Sequence, residues 1–216
     1  MCRLLAVQAK EPFALNDYLK KFSVICKNSR EYQGHGWGCS YLDNGKWIHY
    51  KNILPVWEDD IPDFGKSTLL LAHARSAFQD RGIVIENNMP FSDDKTVFIF
   101  NGELHGVKIN AEGKIGAEKI FNFIKRFENQ GLLNALKKGT KIIETRSRYV
   151  RAMNIIISDK KKVFMSSLFN EDENYFTMHY KKTNGMLIVC SDPFEHEKGW
   201  TKIANRTIGE FTYDDY

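Results

Sequence analysis

A cysteine at position 2, an arginine at 75 and an Asn-Gly pair at 101–102 are the residues whose types could do chemistry together. Removing Met1 would make Cys2 the first residue, with a thiol and an α-amine side by side. A thiol attacks as thiolate, and at its ordinary pKa of about 8.5 it is mostly protonated near neutrality, so it needs a base. A free α-amine titrates at about 7.7–8.0, so one residue would supply both nucleophile and base. The alternative is that Cys2 is a buried strand residue. Asn101 and Gly102 open "NGEL" at the end of an apolar run. A side-chain amide and a glycine N–H can stabilise the oxyanion of a tetrahedral intermediate, although the same pair also reads as a turn dipeptide. Arg75 lies in "HARSAF", where another apolar run ends. It could clamp a carboxylate through two parallel hydrogen bonds, or serve as a surface ion pair.

The elements that must position these groups are legible in outline. Residues 2–8 read as a strand, followed by a helix in "NDYLKKFSVICKN" with Leu15, Leu19, Phe22 and Cys26 at helical spacing and Asn16 as the candidate cap. "WGCSYLDNGKWIHYK" predicts a hairpin turning at Asn44-Gly45 in a type I′ turn. "TLLLAHARSAF" and "KTVFIFNGEL" begin as continuous apolar runs, the pattern of central strands covered on both faces. "GAEKIFNFIKRFENQGLL" predicts an amphipathic helix with Ile120, Phe123, Ile124 and Phe127 on one face, and residues 131–150 are expected to be helical as well. The last third reads as a meander of strands in "AMNIIIS", "KVFMSSLF", "YFTMHY", "GMLIVCS" and "GEFTYDD", with turns at Ser158-Asp159-Lys160 and Asn184-Gly185. Segregated strands and helices predict a layered α+β fold with largely antiparallel sheets, over one domain spanning 1–216.

Composition narrows the class. No run approaches the roughly 20 apolar residues of a membrane span. The start lacks the charged-then-apolar order of a signal peptide, so a cytoplasmic location is expected. None of the four cysteines, at 2, 26, 39 and 190, is spaced for a zinc knuckle or a C-x-x-C redox pair, and no metal or cofactor is expected. Cys26, Cys39 and Cys190 read as small buried apolar side chains. The net charge of +4 is too mild to imply nucleic acid. Nine Lys or Arg against Glu144 and Asp159 between 137 and 162 read as a solvated face, or as a dock for an acidic partner.

"MCRLLA", "GHGWG" at 34–38, "HARSAF" at 73–78, "NNMPF" at 87–91 and "FNGEL" at 100–104 occur in the order found in class II glutamine amidotransferase domains, which are N-terminal-nucleophile hydrolases. "MNIIISDKKKVFMSSL" and "LIVCSDPF" are similar to later strands of the compact, single-domain branch, so the resemblance spans nearly the whole chain. It implies a four-layer αββα sandwich that releases ammonia from glutamine through a thioester. Cys2 would be the nucleophile and Asn101 with Gly102 the oxyanion hole. Arg75 would hold the substrate α-carboxylate, with His73 of the same motif also on the substrate side. Gly34 and the following "HGWG" would form a turn close to the nucleophile. Met89 and Phe100 stand where the family often has histidine, and Gly116 stands where its aspartate binds the glutamine α-amino group. Asp192 or Glu103 could supply that carboxylate instead. The open alternatives are a γ-glutamyl amide hydrolase acting on a modified substrate, and a binding module that has lost the chemistry. With 216 residues leaving no room for a synthase domain, the expectation is either a separate synthase subunit that receives the ammonia or a free amidohydrolase.

Overall fold

The apolar runs become strands because both of their faces find cover. The structure, a computed structural model, describes residues 1–77 and 81–213. Phe78 of "HARSAF" and the end of the last expected strand, Asp214 and Asp215, lie outside the described residues. In chain order the elements are β1 (Arg3–Ala14), α1 (Leu15–Lys27), β2 (Trp37–Asp43), β3 (Lys46–Asn52), β4 (Lys66–Ala74), β5 (Phe91–Ser92) and β6 (Val97–His105). Next come α2 (Gly116–Lys125), α3 (Leu132–Thr145), β7 (Tyr149–Ser158), β8 (Val163–Ser166) and α4 (Glu173–Phe176). The chain closes with β9 (His179–Thr183), β10 (Met186–Cys190), β11 (Thr201–Lys202) and β12 (Ile208–Phe211).

One sheet runs β11-β9-β10-β1-β4-β2-β3 and the other β12-β8-β7-β6-β5, with antiparallel pairing throughout. Side chains of β1 and β4 alternate between two cores, as a period of two requires. Leu4, Ala6, Leu69 and Leu71 pack with Val97 and Ile99 of the opposite sheet. Leu5, Val7, Leu70 and Ala72 pack with Leu19 and Phe22 of α1. On the far side, α2 and α3 cover the five-stranded sheet, with the Phe121 ring 5.3 Å from that of Phe98. The layers are therefore helix, sheet, sheet, helices. No helix among the described residues is long and apolar enough to cross a membrane.

The hairpin turns where expected, with Asn44 and Gly45 both at positive φ as a type I′ turn demands. A second such turn at Asn184-Gly185 joins β9 to β10. Four local readings need correcting. Asn16 does not cap α1, whose N-cap is Ala14; its amide instead accepts from Phe64 N and donates to Pro62 O, tying down the loop before β4. Phe127 lies beyond α2, in the turn leading to α3. Residues 149–150 belong to β7, because Tyr149 and Val150 pair with β6. Within 175–180, Tyr175 and Phe176 form the end of α4, and only His179 and Tyr180 join a strand, paired with β10.

Asn154 on β7 is fully buried and saturated: Nδ2 donates to Phe176 O at 2.7 Å, while Oδ1 accepts from Ser167 Oγ at 3.1 Å and Leu168 N at 3.2 Å. Removing it strands a carbonyl and an N–H, each costing about 1–3 kcal/mol. Asn154→Ala should therefore lose about 2–4 kcal/mol of unfolding free energy in urea titration, with an unchanged slope against denaturant.

Candidate functional site

The β1–β4 register pairs Arg3 with Ala74, so the residue before β1 and the residue after β4 emerge at the same end of the sheet. Those residues are Cys2 and Arg75. Across from them, β6 of the second sheet presents Gly102. All three line one cavity of about 670 Å³, together with Ser76, Glu103 and Gly116. The position has no space for a side chain: a Cβ on Gly102 would lie 2.2 Å from Ala152 O of the neighbouring strand.

Cys2 is partly buried, and its Sγ donates to Ser76 O at 3.8 Å. Burial raises the thiol pKa, and Glu31 adds to the rise. The terminal ammonium, the Ser76 hydrogen bond and the Arg75 charge oppose it. The Met1 amine is ion-paired to Glu31, and the Met1 carbonyl accepts from Gln33 Nε2 at 2.6 Å and Tyr175 OH at 2.5 Å. Gln33 is held in turn by Ser29 Oγ and Glu31 O.

Arg75 is buried, yet among the described residues it has no carboxylate partner. Its Nη1 donates to Gly82 O at 2.8 Å and Asn88 Oδ1 at 3.5 Å, and its Nη2 to Arg81 O at 3.5 Å. Desolvation lowers its pKa, and the nearby Cys2 works against that shift. Its backbone is fixed by the "GHGWG" turn, with Arg75 N donating to Gly36 O and His35 N to Arg75 O. The glycine-rich segment thus packs against the arginine.

Asn101, 1% exposed, has neither side-chain oxygen nor nitrogen hydrogen-bonded among the described residues. It lies next to Gly102 and directly opposite Asn154 in the β6–β7 register. His73 does not line the cavity. It is fully buried between Leu4 and Gly38 on the adjoining strands, facing the Phe100 backbone without a well-formed hydrogen bond. Burial, reinforced by the Arg75 charge, pushes its pKa down to about 3, so it is neutral at any ordinary pH.

The two candidates for a replacement carboxylate part company. Asp192 is outside the cavity, half-exposed, with its oxygen 3.9 Å from Arg3 Nη2, because Arg3 points to the face of the sheet opposite Cys2. Glu103 does line the cavity but is already engaged by His105 Nε2 at 2.8 Å and Arg151 Nη1 at 3.1 Å. Gly116 also lines it, and a Cβ there would meet nothing within 4 Å.

Sequence reasoning missed the groups that buttress this arrangement. Glu31, Gln33 and Tyr175 hold the chain terminus, and Asn87 and Asn88 support the Arg75 loop, with Asn87 Nδ2 on Gly82 O and Asn88 Nδ2 on Asn52 O. In the sequence Arg151 is only one member of a basic stretch. In fact the β6–β7 register slips between Glu103–Ala152 and Leu104–Val150, leaving Arg151 as the extra residue of a bulge. That kink turns it toward Glu103, Asp172 and Glu171, away from a solvated face. The only signals available were the positions of Gln33 beside "GHGWG" and of Asn87-Asn88 within "NNMPF".

No protein-family model matches the sequence, and no curated protein matches it. Solved structures do. A glutamine aminotransferase class-II domain protein from Silicibacter pomeroyi has a TM-score of 0.62 at 15% identity, covering 99% of this chain and 100% of that one. A predicted glutamine amidotransferase from Pseudomonas aeruginosa has a TM-score of 0.63 at 14% identity, covering 98% of each. The glutamine phosphoribosylpyrophosphate amidotransferase of B. subtilis, complexed with ADP and GMP, has a TM-score of 0.66 at 13% identity. In that pair 99% of this chain matches 49% of the larger enzyme. The chain shares the fold of these glutamine amidotransferase structures, two antiparallel sheets packed between helical layers.

His73 yields a pH prediction. Its folded pKa, about 3, lies below the unfolded value of about 6.5, so the unfolded state binds the extra proton and stability falls as pH drops below 6.5. The loss between pH 6.5 and pH 5 should be about 1.5 kcal/mol by denaturant unfolding. In His73→Gln that part of the curve should flatten.

Proposed function

We propose that the protein hydrolyses the side-chain amide of glutamine or of a glutamine derivative through a thioester on Cys2, after loss of Met1. The observation that carries the reading is the meeting of Cys2, Gly102 and Arg75 on one cavity, with the Asn101 amide on the neighbouring residue; among the described residues Arg75 has no carboxylate partner and that amide no hydrogen bond. A buried guanidinium or amide in that condition is costly unless a ligand completes it.

In this mechanism the substrate carboxylate pairs with Arg75, which sets the amide carbon against sulfur. The α-amine of Cys2 takes the thiol proton, a C–S bond forms, and the carbonyl π electrons move to oxygen. Asn101 Nδ2 and the Gly102 N–H stabilise that oxyanion. Collapse breaks the C–N bond, and the protonated amine returns its proton to the departing ammonia. Water then adds to the thioester with the amine as base, and C–S cleavage frees the carboxylate and restores the thiol. Because burial raises the thiol pKa, the neighbouring amine and the Arg75 charge have to counter it. The ammonia passes to solvent or to a partner synthase subunit, and the surroundings of such a chain are taken to be cytoplasmic.

Cys2→Ala should abolish ammonia release while leaving the thermal midpoint within a few degrees of wild type. Asn101→Ala should lower kcat by about 10²–10³, equivalent to about 2.7–4 kcal/mol, with KM little changed. Wild-type turnover by Cys2→Ala, measured by coupled ammonia assay, would end the proposal. Absence of turnover in the processed wild type against every side-chain amide would leave a binding module of the same fold.

A further inference from the structure

Resting on the reading just given, we infer that the substrate is a glutamine derivative whose α-nitrogen is acylated, with the acyl group lying in the apolar half of the cavity. Three observations lead there. First, the cavity of about 670 Å³ lies within the range of roughly 300–1,000 Å³ that holds a drug-sized ligand, and it is more than one amino acid fills. With the amide at Cys2 and the carboxylate on Arg75, what remains is a trough of Leu104, Val107, Ile109, Ile115 and Ile120. A substrate group that reaches this trough meets hydrocarbon.

Second, the charges lining the cavity are arranged against a free α-ammonium. Among the described residues, Arg75, Arg81, Lys119 and Arg151 contribute four cationic side chains to the lining, against the two carboxylates of Glu31 and Glu103. Both carboxylates are engaged. Glu103 is held by Arg151 and His105; Glu31 sits beside the terminal amine, with Arg151 Nη2 at 3.9 Å. Loss of Met1 removes that amine and leaves Arg151 Nη2 beside Glu31. Among the described residues, a substrate ammonium would therefore meet more cations than carboxylates, and Arg151 already sits beside both carboxylates.

Third, the wall opens at Gly116. This residue begins α2, no side chain caps the helix, and the place of a Cβ is empty. The N-terminal end of a helix repels an ammonium and accommodates a carbonyl oxygen. An amide carbonyl on the α-nitrogen fits there, its chain continuing along Ile115 and Ile120. Acylation removes the charge the cavity cannot pair and adds the hydrocarbon it can cover.

The test uses full-length protein with Met1 removed, confirmed by intact mass, and compares ammonia release from glutamine, Nα-acetylglutamine and Nα-octanoylglutamine. Labelling of Cys2 by 6-diazo-5-oxo-norleucine, free and Nα-acylated, is followed in parallel. The expected result is kcat/KM at least tenfold higher for the acetyl compound than for glutamine, and higher again for octanoyl. Gly116→Asp, which places a carboxylate at a helix start that favours one, should reverse the order. Equal or better turnover of free glutamine by the wild type overturns the inference and leaves the proposed hydrolysis standing. If nothing is turned over, faster labelling by the acylated diazoketone still supports it, and labelling by neither overturns both.

Discussion

Two asparagines stand opposite each other on adjacent strands, and the contrast between them organises the molecule. Asn154 makes three hydrogen bonds and knits β7 to the segments at 167–168 and 176. Asn101, equally buried, makes none. An unpaired buried amide costs about 1–3 kcal/mol. A fold carries that cost only if its surroundings hold the group firmly, and the saturated partner does so. Arg75 repeats the theme with charge: among the described residues its guanidinium donates to the Gly82 and Arg81 carbonyls, which orient it without neutralising it.

What could be read from the chain was whatever depends on local periodicity. The apolar runs at 69–72 and 97–100, the amphipathic face of Ile120, Phe123 and Ile124, and the Asn44-Gly45 turn are decided within a few residues, and the structure has them. Cys2, Arg75, Asn101 and Gly102 were legible as chemical types at strand ends. Their convergence was not, because it depends on the pairing of Arg3 with Ala74 and on one sheet facing another. The misplaced strand at 175–180 fails for a related reason. Tyr175 and Phe176 are strong strand formers by type, but the hydrogen bonds from their N–H groups to Asp172 O wind them into a turn of helix.

Long-range electrostatics was the least legible layer. Arg151 binds carboxylates from 103, 171 and 172, and approaches Glu31 at 3.9 Å, through a one-residue slip in strand pairing. No spacing rule along the chain announces such a slip. Asp192 shows the converse. It follows a strand at a promising place, yet the pleat sends Arg3, and Asp192 with it, to the other face of the sheet from Cys2.

The anchoring of Met1 has a consequence for the order of events in the life of the chain. Its amine is ion-paired, and the carbonyl of its peptide bond is clasped by Gln33 and Tyr175. An exopeptidase must grip that amine and reach that bond, and in the finished fold both are spoken for. On the proposed reading, trimming comes before Gln33 and Tyr175 close on that bond, so maturation is a race between the peptidase and docking.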